Sequence, residues 1–484
     1  MSKSKATSIE RLKEFINEYR RYKIGIAGLI LLFFLVFLAV FAPVLAPREK
    51  YDNWYNLAYW KENPSGVPPV WVNLFSSQKL PPHKIISIDS SEAEFTESGG
   101  TYKYTTNVTY NFKYDVPPND IIIRILGKTY EGRNVSLSLK IIRPDGYEIK
   151  LYSSSTVFPE EYDGRPCKTI VFSKNREIGR NIIKWASQFE NETNLRTISG
   201  RPEVGRWTIY ALFSKAEAGI LVGKAPMLRG EYSLVISATF YSDADEFYGI
   251  KVIIAGATFG LAGTDIYGRD LFAGIVWGAR LALIIGILTS VVSTFIGVFY
   301  GVASGYAGGL TDEFMQRIYE IVASIPLLPI LLILSWKFGA TIWNLALIMT
   351  LFYWVGPVKT VRSMALQIKE QTYVEAAKAV GVPTRRIIMK YVANQVIPYA
   401  FAVMALSVPG AILTEAGISF LLGGRGVREP TWGKILHDAH AAAATMKGMW
   451  WWVLLPGVMI CIAGLAFIMI GNALDRILNP TLRR

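Results

Sequence analysis

Few residues in this chain have the chemistry of a catalyst. There are three histidines, His83, His437 and His440, and two cysteines, Cys167 and Cys461. His437 and His440, spaced i, i+3 around Asp438, make half of a metal site at most, and no further His or Cys lies near them. A satisfied pair of loop histidines is the simpler reading, so no metal is assigned. No Gly-x-x-x-x-Gly-Lys-Ser/Thr loop occurs, and the glycines at 305–309 lack its lysine, so the chain has no usual means of binding ATP itself. No Ser/His/Asp set or carboxylate pair stands at catalytic spacing, and no residue is assigned to catalysis or to a cofactor. What remains are carboxylates in unusual company. Glu320 and Glu415 fall inside or near the ends of apolar runs, where a charge is costly. Each has two readings, a place on a translocation path or gate, or a helix–helix hydrogen bond. Gly263-Thr-Asp265-Ile-Tyr-Gly268-Arg-Asp270 precedes one such run. It reads either as a turn whose Asp and Gly residues cap and bend the chain, or as a functional scoop.

The runs themselves set the class. Hydrophobic residues make up 51% of 484 and charged ones 18%, below the ~25% of ordinary soluble domains. Residues 24–46 form an uncharged stretch long enough to cross a hydrocarbon core and too long for a signal-peptide core. Further runs at about 280–305, 315–336, 341–358, 396–422 and 450–474 bring the expected number of spans to six. Trp450, Trp451 and Trp452 open the last one as an interfacial belt.

Residues 47–250 behave differently. No run there spans, and the stretches 101–115, 134–152, 205–213 and 230–241 read as half-buried strands. Arg143-Pro144-Asp145-Gly146 is a turn, because Pro presets φ and Gly accepts positive φ. A short helix is expected at 182–189, and 51–90 form an aromatic lead into the domain. The expected fold is thus an α-helical polytopic membrane protein with an inserted all-β, sandwich-like domain. Its parts are 1–46 with the first span, a β-rich domain at 47–250, and a helical core at 251–484.

Charge orients the chain. The formal net charge is +13, which by itself would also suit a nucleic-acid partner. About +10 of it lies in residues 1–23, 306–317, 359–394 and 475–484, and only +1 in 47–250. Six spans put those four segments on one side, and Lys/Arg in short loops marks the cytoplasmic side. The expected topology has both termini cytoplasmic in the plasma membrane and residues 47–250 external, with the bilayer and no nucleic acid as partner. Three sequons in that domain, at Asn107, Asn134 and Asn191, are glycosylation candidates if external.

The segment 359–394 is the most informative. Its pattern predicts a helix through Ala379, a stop at Gly381 in a left-handed C′ conformation, and a restart with Pro383 in the first turn of a second helix. Ala376 and Ala377 would let a partner surface approach, and Glu375 offers it a charge. Glu375-Ala-Ala-x-x-x-Gly381 resembles the EAA motif of ABC importer permeases. It stands with Gly278-Ala-Arg280, Gly305-Tyr-Ala-Gly308-Gly309, Asp312-Glu313, Thr414-Glu415-Ala416, Pro430-Thr-Trp432-Gly433 and Gly471-Asn-Ala-Leu-Asp475. In that order they are similar to the C-type permease of the dipeptide/oligopeptide/nickel importer branch, over about 1–46 and 260–484.

The resemblance implies a transport subunit without enzymatic activity, whose coupling helix, Glu375, Ala376, Ala377 and Gly381, docks in a groove of an ATP-binding subunit. It implies a homologous second permease, two ATP-binding subunits carrying ATP and Mg, and an extracytoplasmic solute-binding protein. Peptides are the first substrate class, oligosaccharides the second and nickel the third. Two departures stand out. The family's I-x-L-P ending is replaced by Tyr391–Asn394, with a proline only at Pro398, so a displaced helix break is expected there. The 200-residue insertion has no counterpart in the pattern. A membrane-anchored external binding or sensor protein is the competing class. It needs neither six spans nor an exposed docking helix.

Overall fold

A computed structural model describes residues 16–130, 133–198, 202–339, 341–423 and 429–478. It divides into two compact units, Asn56–Leu271 and a helical unit made of the flanking residues up to Tyr55 and from Phe272 onward. Helix α1 (Lys23–Val40) belongs to the helical unit; 18 residues are almost wholly apolar around the helix, as a lipid-facing segment must be.

The Asn56–Leu271 unit is a β-sandwich. Its strands are β1 (Lys84–Asp89), β2 (Glu94–Ser98), β3 (Thr101–Phe112), β4 (Asp120–Lys128), β5 (Val135–Ile142), β6 (Glu148–Thr156), β7 (Glu160–Tyr162), β8 (Arg165–Val171), β9 (Gly230–Phe240) and β10 (Glu246–Ala255). They form two antiparallel sheets ordered β1-β10-β4-β8-β7 and β2-β3-β9-β5-β6. Period-two alternation turns Leu137, Leu139, Ile236 and Ala238 of one sheet inward, against Ile123, Ile125, Ile250 and Val252 of the other. All eight share one core.

The unit also carries helices α2 (Arg176–Ala186) and α3 (Trp207–Phe213), between β8 and β9. The strand expected at 205–213 is therefore corrected to a helix. The pattern there is not alternating, since Thr208, Ile209, Ala211, Leu212 and Phe213 are all buried. A tertiary partner completes it. Buried Arg143 donates from Nη1 to the carbonyl of Leu212 at 2.6 Å and from Nη2 to that of Ser214 at 2.6 Å. Those are the carbonyls a helix end leaves unpaired. The helix expected at 182–189 begins earlier, at Arg176, because Asn175 caps it by accepting from the Glu177 and Ile178 N–H groups. The unit closes at Leu271 because residues 256–270 bond back to its lead, with Ala257 N–H on Pro81 O at 2.8 Å and Thr264 N–H on Val67 O at 2.9 Å.

The helical unit resumes with α4 (Leu271–Ala307), α5 (Gly309–Ser324), α6 (Leu327–Phe338), α7 (Ile342–Tyr353), α8 (Val355–Lys369), α9 (Thr372–Ala379), α10 (Ala393–Leu421), α11 (Trp432–Ala441) and α12 (Trp450–Leu478). Helix α4 has 37 residues, roughly 55 Å, well beyond a ~30 Å hydrocarbon core. Among the described residues five helical segments are long and apolar enough to cross a membrane, α7 and α8 counting as one over Ile342–Lys369, and a sixth crossing arises if α5 and α6 act together. The single span expected at 315–336 is bent by 79° between them. Pro326 is the cause, since it holds the preceding Ile325 extended, with ψ 126°. Trp451 and Trp452 are buried and only Trp450 is exposed, so the tryptophan run is largely core packing and not a belt.

Candidate functional site

The segment between α8 and α10 folds as two short helical pieces on a rigid base. Helix α8 ends at Lys369, and Gln371, extended at ψ 139°, starts α9. The continuous helix expected through Ala379 is thus broken at residues 370–371. Helix α9 ends in a Schellman motif. Val382 N–H bonds Ala377 O at 3.1 Å, Gly381 N–H bonds Lys378 O at 3.0 Å, and Gly381 takes φ 77°. Pro383 sits just before the next turn of helix, Thr384–Ile387, one position earlier than expected. A π-helical turn at Ile388–Val392 then leads into α10. The chain runs helically through Pro398, so no break is displaced to that proline; the irregularity is the π turn.

The base explains why α9 holds its place. Val374, Ala377, Ile387 and Val392 pack with Val298 and Val302 of α4, Val361 and Ala365 of α8, and Val396 of α10. Ala377 therefore faces inward, and is corrected from the partner-facing surface expected for it. Glu375, Ala376 and Gly381 are exposed, with Tyr373, Val380 and Met389 as apolar neighbours and Lys378, Arg385 and Arg386 as cations. Such a surface offers a partner protein both apolar area and charge.

Two features under this base were not read from the sequence. Gly297, Gly301 and Gly305 face α8 so closely that a Cβ at each would lie 2.2, 2.8 and 2.6 Å from the carbonyl oxygens of Trp354, Val358 and Arg362. The four-residue spacing of those glycines was the available signal, since small residues four apart let membrane helices meet backbone to backbone. The second is an ion pair. Arg362 donates from Nε to Asp312 Oδ1 at 2.7 Å and from Nη2 to Oδ2 at 2.5 Å, and Ser304 also bonds Asp312. A planar, bidentate pair of this kind fixes both distance and angle. It ties the α4–α5 corner to α8, one short turn from α9.

The other candidate residues lie apart from this segment. Glu415 is buried on α10 and accepts from Ser419 Oγ at 2.7 Å, with the Thr431 hydroxyl also bonded to it. Glu320 is exposed on α5 and pairs with Arg317 at 2.9 Å. In the β unit, Asp265 is fully buried, accepts from the Tyr267 and Arg269 N–H groups at 2.9 Å, and pairs with the Arg269 side chain. Gly263 and Gly268 have φ 74° and 80°, and Asp270 bridges Thr264 across the loop. A Cβ on Gly268 would stand 2.9 Å from Trp60 O. Asn107, Asn134 and Asn191 are all exposed. His437 Nδ1 lies 2.7 Å from Phe420 O.

Helices long and apolar enough to cross a membrane, a small exposed helix packed on three of them and an inserted β-sandwich define a multi-pass membrane protein. Residues 293–484 match the family of binding-protein-dependent transport system inner membrane components. Residues 11–64 match the N-terminal transmembrane domain of oligopeptide transport permease C. A dipeptide transport system permease of Bacillus subtilis is 36% identical over 224 residues, 46% of this chain and 69% of the relative. An oligopeptide transport system permease of Haemophilus influenzae is 37% identical over 220 residues, 45% and 69% of the two chains. The Escherichia coli K12 oligopeptide permease is 36% identical over 220 residues, 45% and 71%. The chain belongs to the family of binding-protein-dependent transport system inner membrane components.

Proposed function

We propose that this chain is one permease subunit of an ATP-driven importer of di- and oligopeptides. The observation that carries the reading is α9, an exposed helix ended by Gly381 and held on three longer helices. A homologous permease would complete the path, two ATP-binding subunits would supply ATP and Mg, and a solute-binding protein would deliver the peptide. Closure of the ATP-binding subunits would push on Glu375, Ala376 and Gly381, and the Gly297–Gly305 contact and the Arg362–Asp312 pair would pass that movement to α4. Coupling of this kind needs a contact that differs between two states, and a stiff lever transmits it. Both termini are assigned to the cytoplasm and the β unit to the outside, with the bent α5–α6 pair as the crossing that makes the count even. The hydrogen bonds of Glu415 to Ser419 and Thr431 support a clamp between α10 and α11 in place of a gate, and those of Asp265 support a turn in place of a scoop. The exposed sequons would be open to glycosylation on that outer side.

Glu375→Lys and Gly381→Val, reconstituted with the partner subunits in proteoliposomes, test the coupling. Insertion and ATP hydrolysis should persist while uptake of labelled tripeptide falls at least tenfold. Normal uptake by both variants overturns the assignment of α9, and uptake of oligosaccharide without peptide overturns the substrate class.

A further inference from the structure

The β unit contains a cleft of about 850 Å3, between the loop at 115–118, the first turn of α3 and the loop at 221–227. That is the size range of small-molecule sites, ~300–1,000 Å3. Its walls are tied down before any ligand arrives. Tyr210 OH donates to Ala225 O at 2.7 Å, Lys215 N–H bonds Pro226 O at 2.8 Å, and the side chain of Glu190 accepts from Leu221 N–H at 2.6 Å. Pro117 and Pro118 are buried on the opposite side and keep that wall stiff.

The lining mixes apolar and polar surface and carries an excess of positive charge. Trp207, Tyr210 and Met227 offer half-buried rings and a thioether. Asp115 is the acid in the lining, and it is already committed to Arg229 and to Lys79 N–H at 2.9 Å. Arg206 and Lys224 are the two cations, and neither has an ion pair or a side-chain hydrogen bond among the described residues. Asp120, whose charge reaches Arg206, spends its oxygens on Ser173 and on Ile121 N–H. Two uncommitted cations beside an aromatic wall call for a ligand with a carboxylate at one end and apolar bulk next to it.

We infer that this cleft binds the carboxyl end of a short apolar peptide, with Arg206 and Lys224 on the carboxylate and Trp207 and Tyr210 against the last side chain. The inference rests on the peptide reading above and gives the inserted domain a binding role of its own. A preformed, charge-assisted site of this kind pays little ordering entropy, which favours weak, reversible capture.

The test uses the full chain with its partner subunits in lipid nanodiscs, and tritiated trileucine, trileucine amide and acetate as probes. Trileucine should bind saturably. Its affinity should fall at least tenfold in Arg206→Gln and in Lys224→Gln, and be retained in Lys224→Arg. The amide should bind at least tenfold more weakly than the free acid. Equal binding of the amide, equal binding of acetate, or unchanged binding in both glutamine variants overturns the proposal. Uptake in proteoliposomes separates the two ideas. Trileucine that is transported but not bound by the cleft removes this inference alone. Cleft binding without uptake of any peptide leaves the inference standing and removes the importer reading.

Discussion

The β unit and the helical unit solve the same problem, satisfying backbone polar groups around an apolar interior, with opposite side-chain choices. In the sandwich the ladders satisfy the backbone, and bulky Ile, Leu and Phe side chains fill the space between sheets about 10 Å apart. Among the helices each backbone satisfies itself, so nothing prevents close approach except side-chain size. Glycine removes that obstacle at 297, 301 and 305, and again at Gly28, where a Cβ would lie 2.9 Å from Ala466 O. The sandwich is thus sensitive to losing atoms and the α4–α8 seam to gaining them. Under the proposed coupling that difference would matter, since a seam without side chains between its backbones would transmit displacement with little slack.

Three measurements bear on this contrast, beginning with the largest effect. Gly297→Leu forces side-chain atoms into the Trp354 carbonyl, where even a Cβ would sit at 2.2 Å, so tripeptide uptake should fall to background, with Gly297→Ala intermediate. Wild-type uptake by Gly297→Leu would show that the seam has room to open. Leu139→Ala deletes a fully buried side chain and should cost the β unit about 3 kcal/mol in denaturant unfolding. Because the β unit has its own core, coupled ATP hydrolysis should change less than twofold; a collapse of coupling would erase the division between the units. The smallest effect concerns His83. Burial lowers its pKa from 6.5 to about 4, against the attraction of Glu62, and among the described residues neither ring nitrogen has a hydrogen-bond partner. The folded unit holds it neutral while the unfolded chain protonates it near pH 6.5. Its contribution is therefore whole above that pH and is lost as pH falls from about 6.5 toward 4, by roughly 1–3 kcal/mol. His83→Gln should flatten that slope in denaturant melts taken between pH 7 and 4, and an unchanged slope would remove His83 as its source.

Much of the helical unit was legible because hydropathy over about 20 residues is a property of neighbours in sequence. The same holds for the end of α9. Gly381 followed by Val382 and Pro383 specifies a Schellman stop with local atoms only, and the Gly adopts φ 77°. Strands β3, β5, β6 and β9 were legible from their alternation and from the Arg143–Gly146 turn. Reading failed where a distant partner decides. Residues 207–213 are helical because Arg143, more than 60 positions away, supplies the donors for the helix end. Ala376 and Ala377 look alike in sequence, yet one is exposed and the other is packed under α9.

The sequence by itself determined which segments seek lipid, which alternate into sheets and where the chain must turn. These follow from composition and from the conformations each residue allows. Only the tertiary structure decided the 79° bend within one expected span, the seam at Gly297, Gly301 and Gly305, the Asp312–Arg362 tie and the cleft beside Trp207. Each of these depends on which surfaces meet, and a pairing energy exists only once chain closure has brought distant residues within contact distance.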